Sequence, residues 1–438
     1  MLSVPNFFNF SNLNWKSSAT GFRLGKFIFE SYLYARQYRV LKGLTNWGSY
    51  QDLDHEYFGN SQKYSQAKLK YNYVKDIFDL IKDLFVIKFN VYAFIWKISG
   101  RVLKASSFLP QSELFQTLIF SAIARLLLFV YNLPLGYYFN FVLEEKFNFN
   151  RSTIKSWLFS DLAGCLVQLI IDSTTISLFL KTVNYFGKIP ILQSTMLTAA
   201  IFFTIFTIYP TFILPLFFKA SPLPDGELRT RIEKLAVEKA FQIKRISVLD
   251  ASTYSSHSNA MVSGFPWRGE IALSDTLLED LSTDEVVSVV AHELGHLKLF
   301  HILKQITFIS SSVGLNLFLL SKAIQNKSLY EQFGFSEKFV VIGFLLFQNI
   351  AIPLNLIVHL FDHYYKQKLE YEADYYSAID CGLKEATLTG LSKIFKNNLN
   401  SLDSDWLFNL YHRTHPSSTD RLEAVRKAIS KYTLDSTR

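Results

Sequence analysis

The chain has 438 residues, of which 49% are hydrophobic, 41 are Phe and only 19% are charged, with a formal net charge of +8. That composition belongs to a membrane protein with a water-facing part, and the positive charge comes without a clustered basic helix or aromatic platform, which excludes a nucleic-acid partner. Two cysteines, Cys165 and Cys381, exclude a disulfide framework.

Taken in chain order, the first candidate spans are Ala19–Tyr38, which carries several charges, and Phe78–Gly100. Residues 126–143 hold no Asp, Glu, Lys or Arg, and the run extends back through Ile119–Ala124 across Arg125. Leu162–Leu180 is interrupted only by Asp172, and residues 189–218 are again free of charge. Each is near the roughly 20 residues that cross a bilayer as helix. An ionisable group inside a span is costly unless it meets water or a partner. Arg125 and Asp172 therefore either pair or line a wet interior, or the spans are offset and both lie near an interface. The joint at Ala220-Ser221-Pro222-Leu223-Pro224-Asp225-Gly226 then opens a long polar segment reaching about Ile302.

Within that segment Ile271-Ala272-Leu273-Ser274 predicts a short strand whose edge could align an extended substrate. Ser282-Thr283-Asp284-Glu285 predicts a capping box with Ser282 as N-cap, followed by an apolar stripe of Val286, Val289, Val290, Leu294 and Leu297 at helical spacing. The predicted helix carries His292-Glu293-Leu294-Gly295-His296, an H-E-x-x-H. Two His four apart share one face and can reach one zinc ion, and Glu293 is placed to take a proton from an attacking water. The extended metzincin pattern would need Gly and His where Leu299 and Ile302 stand. The third ligand is then a carboxylate from a later helix.

Charge-free runs at 305–321 and 339–361 form two more spans. Two crossings return the chain to the side it left, so ligands on either side of this pair can meet. The helix that follows holds Glu370-Tyr371-Glu372-Ala373-Asp374. Glu370 and Asp374 share a face, and Glu372 points roughly 200° away. Glu370 is assigned to the metal and Asp374 to holding a ligand imidazole in its tautomer; a solvated acidic face is the plainer alternative, and His363 is the rival ligand. His257 and His412 are read as ordinary polar packing and His301 as surface.

Counting both weak candidates gives seven spans. The loop at 39–76 carries Arg39, Lys42, Lys63, Lys68, Lys70 and Lys75, and the loop at 140–157 carries Lys146, Arg151 and Lys155. The alternate loops hold only Arg101 and Lys104, and Lys181 and Lys188. This bias places the polar segment and the C-terminus in the cytosol and the N-terminus outside it. The divisions expected are 1–218 for the first five spans, 219–302 for the segment with the H-E-x-x-H, 303–361 for the last two spans and 362–438 for the closing segment.

These motifs, taken together, make the chain resemble the type I CAAX prenyl proteases. Phe141-Val142-Leu143-Glu144-Glu145-Lys146-Phe147 with Phe149-Asn150 looks like the family's loop between its third and fourth spans. Pro224-Asp225-Gly226-Glu227-Leu228, Ser255-Ser256-His257-Ser258-Asn259-Ala260 and Ser274-Asp275-Thr276-Leu277-Leu278 are similar to its entry into the catalytic segment and the stretches before its zinc helix. Thr414-His415-Pro416 with Arg421-Leu422 resembles its closing motif, and Phe29-Glu30-Ser31-Tyr32-Leu33 with Arg36-Gln37-Tyr38 also looks familial.

The resemblance implies a mainly α integral membrane protein of the endoplasmic reticulum and nuclear envelope. Seven helices would ring a large intramembrane chamber, closed on the cytosolic side by a gluzincin-like protease segment with a small β-element. It implies one Zn²⁺ per chain, farnesylated CAAX substrates and a monomer in the lipid bilayer, and it assigns Asn259 and His415 to the tetrahedral oxyanion. Met261-Val262-Ser263 stands where the family usually has aromatics, and the ending Leu434-Asp435-Ser436-Thr437-Arg438 has no dilysine signal. Two rivals remain. One is a broad-specificity quality-control metalloprotease that ignores prenylation. The other is a non-catalytic channel or transporter, against which the intact Glu293, Glu370 and His415 argue.

Overall fold

The computed structural model describes residues 13–43, 55–187, 189–265 and 267–436; Lys188 and the terminal Thr437-Arg438 lie outside them. Helices α1 (Trp15–Gly43) and α2 (His55–Lys88) pack side by side. α3 (Val91–Ala105) follows after Asn90, whose left-handed φ of 53° breaks the helix. Phe78–Gly100, expected as one span, is thus divided between α2 and α3, because Asn tolerates that conformation at little steric cost.

α4 (Glu113–Tyr138) starts at Ser112, whose side chain caps Phe115 N–H, and runs on through a wider turn to Glu144. α5 (Ile154–Phe186) starts from a Thr153/Ser156 capping box and ends at Gly187, φ 67°. α6 (Ile191–Ile208) completes the first membrane group. Arg125 and Asp172 pair directly between α4 and α5, with Gln168 Nε2 donating to Asp172 Oδ1 at 2.9 Å. Of the readings of these two groups, the structure shows the direct pair.

The polar segment contains β1 (Ala220–Pro222), α7 (Glu227–Glu238), β2 (Ile243–Leu249), β3 (Ala260–Phe265), β4 (Arg268–Ser274), α8 (Asp275–Asp280) and α9 (Thr283–Lys298). The sheet order is β1-β2-β4-β3, with β2 parallel to β4 and the other pairs antiparallel. The strand at Ile271–Ser274 is therefore central, paired on both sides. The outer strands are β1 and β3, with β3 lying next to β4, which corrects the expectation that β4 offers a free edge. The sheet packs on α9 through Ile271, Leu273, Val290 and Leu294, and the expected apolar stripe of α9 is the buried one.

Beyond α9 lie α10 (His301–Ala323), α11 (Lys327–Gln332), α12 (Val340–Ile350), α13 (Ile352–Tyr375, continued as a wider turn to Asp380), α14 (Lys384–Asn397), α15 (Trp406–His412) and α16 (Ser418–Ser436). The charge-free run at 339–361 is bent by 74° between α12 and α13. Pro353 in the first turn of α13 has no N–H to continue the ladder from α12. Among the described residues, the helices over Glu113–Glu144, α5, α6 and α10 are long and apolar enough to cross a membrane, and α12–α13 make a fifth if the bent pair is one span. α1 and α2 fall outside that set; α1 carries Arg23, Lys26, Glu30 and Arg36. A second core gathers Trp15, Trp96, Phe120, Leu320, Tyr330 and Ile342.

The α9 box forms as expected: Ser282 N–H donates to Glu285 Oε2 at 2.8 Å, and Lys393 Nζ of α14 donates to the same oxygen at 2.7 Å. Ser282→Ala should cost about 1 kcal/mol, read as a lower thermal midpoint in detergent; an unchanged midpoint would show that the cap contributes nothing.

Candidate metal centre

His292 and His296 stand one turn apart on α9, with their Nε2 atoms 3.2 Å from each other. Glu370 enters from α13, its Oε2 3.6 Å from His292 Nε2 and its Oε1 3.5 Å from His296 Nε2. A tetrahedral metal with bonds near 2.0–2.1 Å needs donor atoms about 3.3 Å apart. The triangle fits that requirement without rearrangement, and these are three residues able to hold a metal together. The rival His363 lies elsewhere: its ring sits against His359 at a tilt of 50°, centroids 3.9 Å apart, beside a separate cavity that His412 also lines.

The close approach of α9 and α13 depends on Gly295. A Cβ there would meet the Tyr376 side chain at 3.1 Å and the Ala373 Cα at 3.3 Å. A side chain there would therefore require Tyr376 or the α13 backbone at Ala373 to give by a few tenths of an ångström, on the helix that carries Glu370.

Behind the triangle, His292 Nδ1 lies 2.8 Å from Asp374 Oδ1, as expected of an orienting carboxylate. Asp374 is 2% exposed and accepts from Arg421 Nε and Nη2 at 2.8 and 2.7 Å. The Arg421 Nη1 is also 3.5 Å from Glu370 Oε2. His301 is not on the surface: it is 0% exposed, with Nδ1 2.8 Å from His296 Nδ1 and Nε2 3.2 Å from Glu372 Oε2. The hydrogen-bond logic follows from the partners. With its Nε2–H donating to Glu372, a neutral His301 accepts at Nδ1 from His296 Nδ1–H. His296 then turns a bare Nε2 toward the triangle, the tautomer a metal ligand needs, and His292, with Nδ1 facing Asp374, presents the same atom once a metal displaces its Nε2 proton.

Neither supporting residue was legible as such. Phe300 adopts φ 54° between α9 and α10, so His301 turns back onto His296 instead of following the α9 helical wheel. Arg421 is joined to Asp374 only by tertiary packing.

Burial, reinforced by His292, pushes His296 down to about 3, keeping it neutral across physiological pH. Burial also draws His292 down, but Asp374 and then Glu370 outweigh it and hold the imidazole up to about 10, so a metal must displace that proton. Burial raises the Glu293 carboxyl, which also meets the backbone of Val262 on β3. A raised carboxyl suits proton transfer near neutrality. His415 Nδ1 is 2.8 Å from Glu370 Oε2, and Asn259 shares with it and with Glu293 the lining of a cavity of about 600 Å³. His257 does pack structurally: it stacks on Phe149 at 4.0 Å and bonds Glu144 and Asn398, each at 3.2 Å.

His301→Leu should weaken metal affinity about 10- to 100-fold by chelator competition, with the thermal midpoint of the metal-free protein far less affected. Unchanged affinity would remove His301 from the support of His296.

Residues 37–219 match the family model described as CAAX prenyl protease N-terminal, five membrane helices, and residues 222–429 match peptidase family M48. The CAAX prenyl protease 1 of Saccharomyces cerevisiae is 33% identical over 97% of this chain and 98% of its own length. The human CAAX prenyl protease 1 homolog is 30% identical over 91% and 93%. The crystal structure of S. mikatae Ste24p superposes with a TM-score of 0.89 at 33% identity, covering 94% of this chain and 99% of that one. With a near-full-length relative above 30% identity and an M48 match spanning the helices that carry the triangle, the chain belongs to the CAAX prenyl protease 1 family of M48 metallopeptidases.

Proposed function

We propose that the chain is a zinc endopeptidase that removes the C-terminal tripeptide of farnesylated CAAX proteins, cutting after the prenylated cysteine, with a further N-terminal processing cleavage open to the same site. The observation that carries this reading is the donor triangle of His292, His296 and Glu370 opening on a cavity shared with Glu293, Asn259 and His415. Zinc, when bound by the triangle, supplies a Lewis acid that polarises the scissile carbonyl and makes water acidic near neutral pH.

The remaining work falls to side chains. Glu293 takes the proton of the attacking water at its carboxylate, poised by burial to hold it. Asn259 and His415 donate to the developing oxyanion, where one such donor contributes about 3 kcal/mol. Asp374 and His301 keep the two ligand imidazoles in their tautomers. The outer edge of β3, running from Ala260 directly after Asn259, aligns an extended substrate by main-chain hydrogen bonds.

Around this site we place seven spans enclosing a chamber, with the more polar α1 and the α2–α3 pair added to the five apolar ones. The protein would act as a monomer in the endoplasmic reticulum and nuclear envelope, its four chain divisions as read above and its catalytic segment and C-terminus cytosolic. Polar groups such as Arg23, paired with Asp83 at 2.6 Å and Asn349 at 2.9 Å, are what a water-filled interior tolerates.

Purified protein should cleave a farnesylated CAAX peptide and leave its unfarnesylated twin intact. Equal cleavage of both would move the function to general membrane proteolysis. Glu293→Gln should abolish turnover while bound zinc stays near one per chain; retained turnover would remove Glu293 as the base. Asn259→Ala should lower kcat about 100-fold at unchanged zinc content, and an unaffected kcat would exclude it from the oxyanion site.

A further inference from the structure

The catalytic cavity holds two cations that the mechanism above does not use. Lys68 of α2 and Arg413, between α15 and α16, line the same space as Glu293, Glu370 and His415. Among the described residues, neither has a carboxylate oxygen within the 4.0 Å of an ion pair. Lys68 Nζ instead rests over the Tyr64 ring, 4.8 Å from its centroid. The carboxylate that acts on Lys68 electrostatically, Glu144, is already engaged by Tyr64 Oη at 2.7 Å and His257 Nε2 at 3.2 Å. Burial alone pulls the Arg413 guanidinium down to about 10, with no anion offsetting it.

Both side chains are half-buried, and a partly desolvated charge without a counter-charge is costly, the more so because Arg413 repels Lys68. An anion entering the cavity would relieve it, and a guanidinium beside an ammonium suits a carboxylate: the fork binds both oxygens and the lysine adds a point charge. Position narrows the choice of anion. Arg413 stands two residues before His415, so their Cα atoms are at most about 7 Å apart. The free end of a tripeptide leaving group lies about 10 Å beyond the scissile carbonyl.

We propose that Lys68 and Arg413 form a carboxylate subsite that holds the C-terminal carboxylate of the substrate, fixing the cut three residues from the chain end. This rests on the tripeptide-removing reading above. It makes the two cations specificity determinants that read chain length, separate from whatever surface accepts the lipid.

The test compares farnesylated CAAX peptides ending in a free carboxylate or a carboxamide, with the zinc-loaded full chain. The wild-type protein should show KM about 10- to 100-fold higher for the amide, with kcat little changed. Arg413→Gln and Lys68→Gln, checked for folding by thermal midpoint, should raise KM for the acid and cleave acid and amide almost equally; Arg413→Lys should restore part of the difference. Equal KM values in the wild-type protein, which needs no variant, would overturn the subsite while leaving the peptidase standing. That result is also the one expected if an anionic lipid headgroup occupies the pair. Discrimination that survives both folded Gln variants would place the carboxylate elsewhere and overturn the assignment. Cleavage of neither peptide would overturn the tripeptide reading and the subsite with it.

Discussion

Asp374 sits where α9, α13 and α16 converge, gripped by Arg421 through two hydrogen bonds and facing His292 Nδ1 at 2.8 Å. A carboxylate 2% exposed cannot stay charged there alone; removing one partner of such a pair typically costs about 3–5 kcal/mol. The contact therefore couples three helices distant in sequence to the orientation of one imidazole. It also sets the charge of the site. Glu293, Glu370 and Asp374 bring three carboxylates to the metal side of the cavity, where Arg421 is the guanidinium in contact with two of them.

The rest of the architecture serves this convergence. α10 and the bent α12–α13 pair leave the polar segment and return to it, so Glu370 arrives beside α9 although most of the membrane-crossing helix content of the C-terminal half lies between them. Gly295 then permits an approach that a Cβ would crowd, at 3.1 Å from the Tyr376 ring and 3.3 Å from Ala373 Cα. Phe300, in a left-handed conformation, turns α10 away from α9 and carries His301 under His296. Each imidazole of the triangle is thus backed by a different element, His292 by α13 and His296 by the start of α10.

Local periodicity was readable and tertiary convergence was not. The α9 cap and stripe, the shared face of His292 and His296, and the shared face of Glu370 and Asp374 all follow from a 3.6-residue repeat, and the structure brings them together as spaced. Hydropathy located α4, α5, α6 and α10, but it measures composition and is blind to the backbone breaks at Asn90 and between Ile350 and Ile352. His301 was misplaced because a helix end lies within five residues of His296. Strand order decides which edge is free, and a run such as Ile271–Ser274 does not reveal whether it is central or outer. Arg421, Lys68 and Arg413 gain meaning only from what surrounds them in space.

The central claim is that the ligand set is two imidazoles and the Glu370 carboxylate. X-ray absorption at the zinc K-edge of the zinc-loaded full chain tests it most directly. The account predicts two imidazole nitrogens with oxygen donors at about 2.0–2.2 Å, and a changed oxygen shell with reduced zinc occupancy in Glu370→Gln. A third imidazole in the shell, from His415 or His363, or a spectrum untouched by Glu370→Gln, would contradict it.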